Sequence, residues 1–509
     1  MKNEVEVGGK LQISDVVRVA RERAHVRLAE AAKPKIAASR AYVEQLVAGN
    51  QTVYGLTTGF GKLANIRIAQ QDLQALQRNL LLSHAFGTGE LLSTEVVRAM
   101  LLLRAQSLAW GFSGVRQTVI DLLISCLNKG VHPQVPSQGS VGASGDLAPL
   151  AHMSLLLIGE GKAEYQGEWL DAHEALRRAG LKPIVLEAKE GLALINGTQA
   201  MTGIGSLVVH DAQLLATVAD IAGAMTLEAL KGTLRAFDAK VSQVRPHIGA
   251  VQVSDNVRRI GANSPIHQSH ANCEKVQDPY SLRCIPQVHG ASRDALKHVA
   301  EVLEREIYSV TDNPLIFANE QEVISAGNFH GQPVALAMDY SKLAISELAN
   351  ISERRTAFLQ DSSLSGLPPF LAQSGGLHSG LMITQYTAAS LVSENKVLAH
   401  PASADSIPTS ANQEDHVSMG TIAARQAGMI LENAKTVIAI ELLNAAQALE
   451  FHKPLEPGPG AKAAWRTIRE RVPFADTDRI MTGDLAAVKE LMASGKLRGN
   501  VEKAVGSLH

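Results

Sequence analysis

Residues 198–230 read TQAMTGIGSLVVHDAQLLATVADIAGAMTLEAL, a run long and apolar enough to raise the question of a membrane span. His210, Asp211, Gln213 and Asp220 answer it, because polar and ionisable groups at those intervals are costly in lipid. The run reads instead as one helix buried on all sides among other helices. Similar helical patterns cover Ala291 to Tyr308, Pro333 to Ala357, Ser379 to Ala399 and Gln413 to Glu450, several of them much longer than an average globular helix. Together they predict a mainly α chain built on an elongated long-helix bundle. Loops rich in Gly, Pro, Asn and Ser separate the helices at 261–287, 311–333, 361–380 and 400–412, and they hold most of the polar residues that could carry chemistry.

Composition agrees with helices. The 509 residues are 46% hydrophobic but only 4% aromatic, a balance that suits packed helices better than β-sandwiches. A net charge of −2 with no block of like charge leaves no electrostatic footprint for nucleic acid or an anionic membrane, so small solutes are the expected partners. The N-terminal residues lack an apolar core of signal-peptide length, which points to the cytoplasm. Cys126, Cys273 and Cys284 are too scattered for a disulfide framework and fit a reducing compartment. His267, His270 and Cys273, with Cys284 following, have a metal-like spacing but no second close ligand pair; a polar loop is the better reading and no metal is expected.

Upstream, shorter helical patterns run through Leu73 to Ser83-His84, from Glu95 to about Trp110, and from Val115 to Leu127. Then comes Gly142-Ala143-Ser144-Gly145-Asp146, after which Asp146 is placed to cap a helix through Leu157. Known glycine motifs fail here. The segment is one residue short of a nucleophile elbow, and Gly139, Gly142 and Gly145 are spaced too evenly for a dinucleotide turn. Thr58-Gly59-Phe60-Gly61-Lys62-Leu63 lacks two residues of a phosphate loop. What the segment does permit is backbone closure: Gly145, without a Cβ, can bring its amide nitrogen to the Ala143 carbonyl carbon, and loss of the Ser144 hydroxyl would leave an exocyclic methylene. A plain small-residue turn fits the same composition.

Gly139 to Leu150 resembles the signature of the aromatic amino-acid ammonia-lyases. The resemblance extends in order through Tyr54-Gly55, Thr58-Gly59-Phe60-Gly61, Asn196-Gly197-Thr198-Gln199, Gln277 to Arg283, Gly327-Asn328-Phe329-His330 and Ser410 to His416. It implies an aspartase/fumarase-like fold, with an N-terminal domain over 1–195 bearing the Tyr loop and prosthetic segment, and a long-helix bundle domain over 196–509 forming the oligomer core. It implies that Ala143-Ser144-Gly145 cyclises autocatalytically to 4-methylidene-imidazol-5-one, with no dissociable cofactor. A homotetramer with active sites shared between subunits is implied as well. By the same resemblance Tyr54 is the β-proton base, Arg283 binds the substrate carboxylate, and Asn196 and Tyr280 bond the ring and the reacting amine. Gln277 and Phe329 belong to the family's substrate site. A phenol with a pKa near 10 needs help to act as a base near neutral pH.

Two places bear on the substrate. Ser83-His84 matches the histidine-specific branch of the family, and Glu414 stands where phenylalanine and tyrosine enzymes usually carry glutamine. A carboxylate and an imidazole suit a ring with N–H groups, whereas a phenyl ring would leave both unpaired. The resemblance thus implies elimination of ammonia from L-histidine to give urocanate, with Glu414 a second candidate for the base. The rivals are the same chemistry on tyrosine or phenylalanine, a 2,3-aminomutase, a non-catalytic helical paralogue, and a zinc-dependent lyase using His267, His270 and Cys273.

Overall fold

The computed structural model describes residues 4–49, 51–271 and 275–509. Helices dominate. Among the described residues, strands form four small sheets: Glu4–Val7 parallel to His25–Leu28, Thr88–Leu91 against Pro136–Gln138, Leu315–Phe317 against Glu322–Ile324, and an antiparallel set of Val131–Pro133, Lys162–Tyr165 and Glu168–Asp171. The chain divides into two compact units. One holds Met1–His210, Val299–Asp339 and Pro401–Arg425, and the other Asp211–His298, Tyr340–His400 and Gln426–His509.

In the first unit the helix Thr94–Ala109 is buried at every residue from Val97 onward. Burial on all sides leaves its two arginines dependent on internal acceptors. Arg98 donates to the carbonyls of Val19 and Leu127, both at 2.9 Å, and Arg104 donates to the Asn196 carbonyl at 2.9 Å and to Ser107 Oγ at 3.0 Å. Lys189 and Asp312 form a fully buried ion pair at 2.6 Å. Three helices, Leu73–His84, Leu147–Leu155 and Glu190–Ile195, pack on one another. This trio positions the site: His84 ends the first, the Ala143-Ser144-Gly145 segment leads into the second, and Asn196 follows the third.

The second unit takes its share of the long helices Gln199–Ala229, Ile285–Ile307, Gln332–Gln360 and Gly420–Glu450, together with Met382–Leu398. A 31-residue helix such as Gln199–Ala229 is about 46 Å long. That helix coincides closely with the expected 198–230 run, and 78% of its most apolar window is buried. A fully buried acidic group within it is satisfied internally. Asp220 accepts from His289 Nδ1 at 2.7 Å, Arg293 at 2.6 Å and Asn256 Nδ2 at 2.9 Å. Nearby, Arg355 grips Glu441 with two bonds of 2.5 and 2.7 Å, and Thr226 Oγ1 donates to the same carboxylate at 2.8 Å.

One expectation needs correcting. The last long helix begins at Gly420 rather than near Gln413, because Met419, directly before it, has φ of 55°, a left-handed conformation that no right-handed helix can include. His267 and His270 both turn to the Gly232 carbonyl, at 2.9 and 3.2 Å; Cys273 lies outside the described residues.

Candidate active site

Ser144 has φ of +49° and Gly145 +77°. A left-handed serine costs roughly 1–2 kcal/mol, so the surrounding structure must hold it. Gly145 pairs with Gly197, whose N–H donates to the Ser144 carbonyl at 3.2 Å and whose carbonyl accepts from Asp146 N–H at 2.7 Å. A Cβ on Gly145 would lie 2.0 Å from the Gly197 carbonyl oxygen, so only glycine fits this approach. Ala143 is buried against Val417 and Met419.

Asp146 departs from expectation. It occupies the N-cap position of Leu147–Leu155, yet its side chain makes no bond to that helix. Instead Oδ2 accepts from the Ala200 and Met201 N–H groups, both at 2.9 Å, at the start of Gln199–Ala229. Its other oxygen accepts from Thr421 Oγ1, in the first turn of the helix that starts at Gly420. The Met419 N–H donates to the Val141 carbonyl at 2.9 Å. Three helix N-termini therefore meet the segment, and each adds partial positive charge there. Burial pushes the Asp146 carboxyl up to about 6, against the pull of Thr421, Met201, Ala200 and Ser140.

Beside the segment lies a cavity of about 640 Å³, lined by Ser144, Tyr54, His84 and Glu414 among others. Residues separated by as much as 360 positions in sequence thus share one chamber, all within the first unit. Gly61 N–H donates to Tyr54 Oη at 3.5 Å. Burial raises the Tyr54 phenol above its ordinary value, the Gly61 bond opposes this, and the Glu414 charge adds to the rise. Burial lowers the His84 imidazole, partly offset by a backbone bond to Leu80 and by Glu414. Thr409 Oγ1 donates to Glu414 Oε2 at 2.7 Å and so orients that carboxylate. The Tyr54 loop and the left-handed 410–412 turn are close neighbours: a Cβ on Gly61 would sit 2.7 Å from Ser410 Oγ.

Asn196 is buried, with Nδ2 donating to the Asn313 carbonyl at 2.8 Å and Oδ1 without a partner. Gln277, Tyr280 and Arg283 belong to the second unit, where the Arg283 guanidinium stacks 4.6 Å from the Tyr280 ring centroid. Phe329 is half-buried in the first unit and is not part of the cavity lining. Sequence reasoning did not single out Lys62 and Asn79, which also line the cavity. The signal for Lys62 was its place in the glycine-rich 58–63 loop; for Asn79, its position one helical turn before Ser83.

A family model for aromatic amino acid lyases matches residues 11–470. A histidine ammonia-lyase from Symbiobacterium thermophilum is 56% identical over 504 residues, 99% of each chain, and one from Gloeobacter violaceus is 56% identical over 98% of each. The crystal structure of histidine ammonia-lyase from Trypanosoma cruzi superposes with a TM-score of 0.92 at 41% identity, over 99% of this chain and 96% of that one. Tyrosine aminomutase from Streptomyces globisporus gives a TM-score of 0.94 at 37% identity, over 99% and 100%. The mainly α architecture is common to them. Matched by the family model over residues 11–470 and by relatives over nearly its whole length, the chain belongs to the aromatic amino acid lyase family.

Proposed function

We propose that this protein is a histidine ammonia-lyase, which eliminates ammonia from L-histidine to give urocanate. The observation that carries the reading is the meeting of Ser144, Tyr54, His84 and Glu414 around one cavity. Family membership and the high identity to histidine ammonia-lyases support it.

The local structure suits a prosthetic group made from Ala143-Ser144-Gly145. Positive φ at Ser144 and Gly145 coils the segment toward the closure that joins Gly145 nitrogen to the Ala143 carbonyl carbon, with two waters lost. Asn196 has a free Oδ1 and a second N–H to offer the ring and the substrate amine. When present, the group supplies an electrophilic methylidene that makes ammonia a better leaving group. The helix N-termini at Leu147, Gln199 and Gly420 stabilise negative charge beside it.

Tyr54 removes the β-proton, with Glu414 a second candidate. Since burial and Glu414 both hold the phenol protonated, a cation must offset them. Lys62 lines the cavity, and Arg283 with Tyr280 and Gln277 comes from another subunit of a cytoplasmic homotetramer, Arg283 forking the carboxylate of the substrate. Phe329 completes the substrate site. Exposed apolar side chains support such an assembly. On Met382–Leu398 only Ala388 and Asn395 are buried, while Ile383, Tyr386 and Val397 are 60–69% exposed in the single chain.

The test follows the ultraviolet absorbance of the acrylate formed from L-histidine, L-tyrosine or L-phenylalanine. Histidine turnover is expected, and Ser144→Ala should lower it by more than about a thousandfold, or about 4 kcal/mol of barrier. The intact mass of the parent should fall short of the sequence mass by two waters, and that of the variant should not. Faster turnover of tyrosine than of histidine overturns the substrate; a fully active Ser144→Ala overturns the prosthetic group.

A further inference from the structure

His84 ends the helix Leu73–His84 and lines the cavity, and the hydroxyl beside it is engaged on two sides. Ser83 Oγ lies 3.2 Å from the Leu80 carbonyl oxygen and 3.0 Å from His84 Nδ1. A carbonyl oxygen only accepts, so a Ser83 proton that holds the Leu80 contact is not available to Nδ1. The hydroxyl oxygen then has only lone pairs to turn toward Nδ1, and Nδ1 must carry the ring hydrogen. In a neutral imidazole that leaves Nε2 bare.

We propose that Ser83 is a positioning residue that fixes His84 as the Nδ1–H tautomer, so that Nε2 faces the cavity as a hydrogen-bond acceptor. This rests on the histidine reading given above. Two further features agree with it. Burial keeps the ring neutral, so a choice of tautomer exists at all. Glu414, held by Thr409 and near enough for its charge to reach His84, is, when ionised, also only an acceptor. The polar groups at this end of the cavity then recognise a ring by its N–H donors. Phenyl and phenol-free apolar rings leave both acceptors unpaired, and a ring with nitrogen lone pairs but no N–H sets lone pair against lone pair.

The test reads the tautomer without relying on catalysis. In protein labelled with ¹⁵N-histidine, the His84 resonances, assigned by their loss in His84→Gln, should show a protonated Nδ1 and a bare Nε2 at neutral pH. Ser83→Ala should release that preference, and Ser83→Thr, which keeps the hydroxyl, should restore it. In kinetics Ser83→Ala should raise the KM for L-histidine about fivefold, the loss of one hydrogen-bond-sized preference, with a smaller change in kcat, and Ser83→Thr should recover the parent KM. A parent His84 protonated on Nε2, or a tautomer indifferent to Ser83→Ala, overturns the proposal even if histidine is turned over. Absence of histidine turnover with the Nδ1–H tautomer present overturns the substrate reading and leaves the tautomer standing.

Discussion

Asp146 in the first unit and Asp220 in the second are both fully buried carboxylates, and the fold holds them in opposite ways. Asp220 is met by charge. Burial alone would raise its carboxyl, but Arg293 and His289 outweigh that and hold it below the usual range. Asp146 is met by dipoles, the N–H groups of Ala200 and Met201 and the hydroxyls of Thr421 and Ser140, and it stays well above that range. Where the structure only has to stand, it neutralises a buried anion with a cation, Arg293. Beside the Ala143-Ser144-Gly145 segment it gathers helix N-termini instead, so that the partial positive charge of backbone dipoles faces the segment.

The largest effect expected from this contrast is on stability in the second unit. Asp220→Ala strands the Arg293 guanidinium without its anion and His289 Nδ1 without its partner, and should cost about 3–5 kcal/mol, seen as a lower midpoint in urea unfolding. A cost below about 1 kcal/mol would show that these ions are solvated and that the contrast with Asp146 is false.

Next comes a pH slope. Asp146 rises from 3.8 to about 6 on folding, so the folded state binds the proton more tightly than the unfolded chain does. Its stabilising contribution is complete below 3.8 and is lost as pH climbs through about 6, a change of about 3 kcal/mol. Asp220 has the reverse sign: its contribution is present above the unfolded value and fades as pH falls through the lowered folded one. Asp146→Asn keeps an oxygen for the Ala200 and Met201 N–H groups and an amide for the two hydroxyls, so it should remove the first slope while folding normally. Unfolding free energies of parent and variant between pH 4 and 8 would falsify the assignment if the two curves ran parallel.

The contrast also marks how far the sequence could be read. The Gln199–Ala229 helix was legible because length, apolar run and spaced ionisable residues all act within one stretch. His84 and Glu414 were legible because residue type at a motif position states a chemistry. The side chain of Asp146 was not. A carboxylate directly before a helical pattern signals a local cap, yet the N–H groups it accepts from lie more than 50 residues away, where Gly197 folds back on Gly145. The start of the last long helix failed for a related reason. Periodicity runs back to Gln413, but Glu414 pairs back on Thr409, and the left-handed Met419 breaks the chain just before Gly420, neither of which local propensity signals.

The smallest effect expected concerns Glu414, whose charge raises both Tyr54 and His84 from across the cavity. It acts on the phenol less than burial does, and the Gly61 bond works against both. Glu414→Gln removes the charge, keeps the shape and leaves an acceptor for Thr409. The Tyr54 phenol should then lose its proton at lower pH, and the ascending limb of kcat/KM for L-histidine should move down by less than about one unit, or about 1.4 kcal/mol. KM should rise as well, since an amide accepts more weakly than a carboxylate from a ring N–H. A limb displaced downward assigns the proton transfer to Tyr54, with Glu414 acting on it through space. If the limb instead vanishes along with turnover, Glu414 itself takes the β-proton, and Tyr54 serves only to shape the cavity.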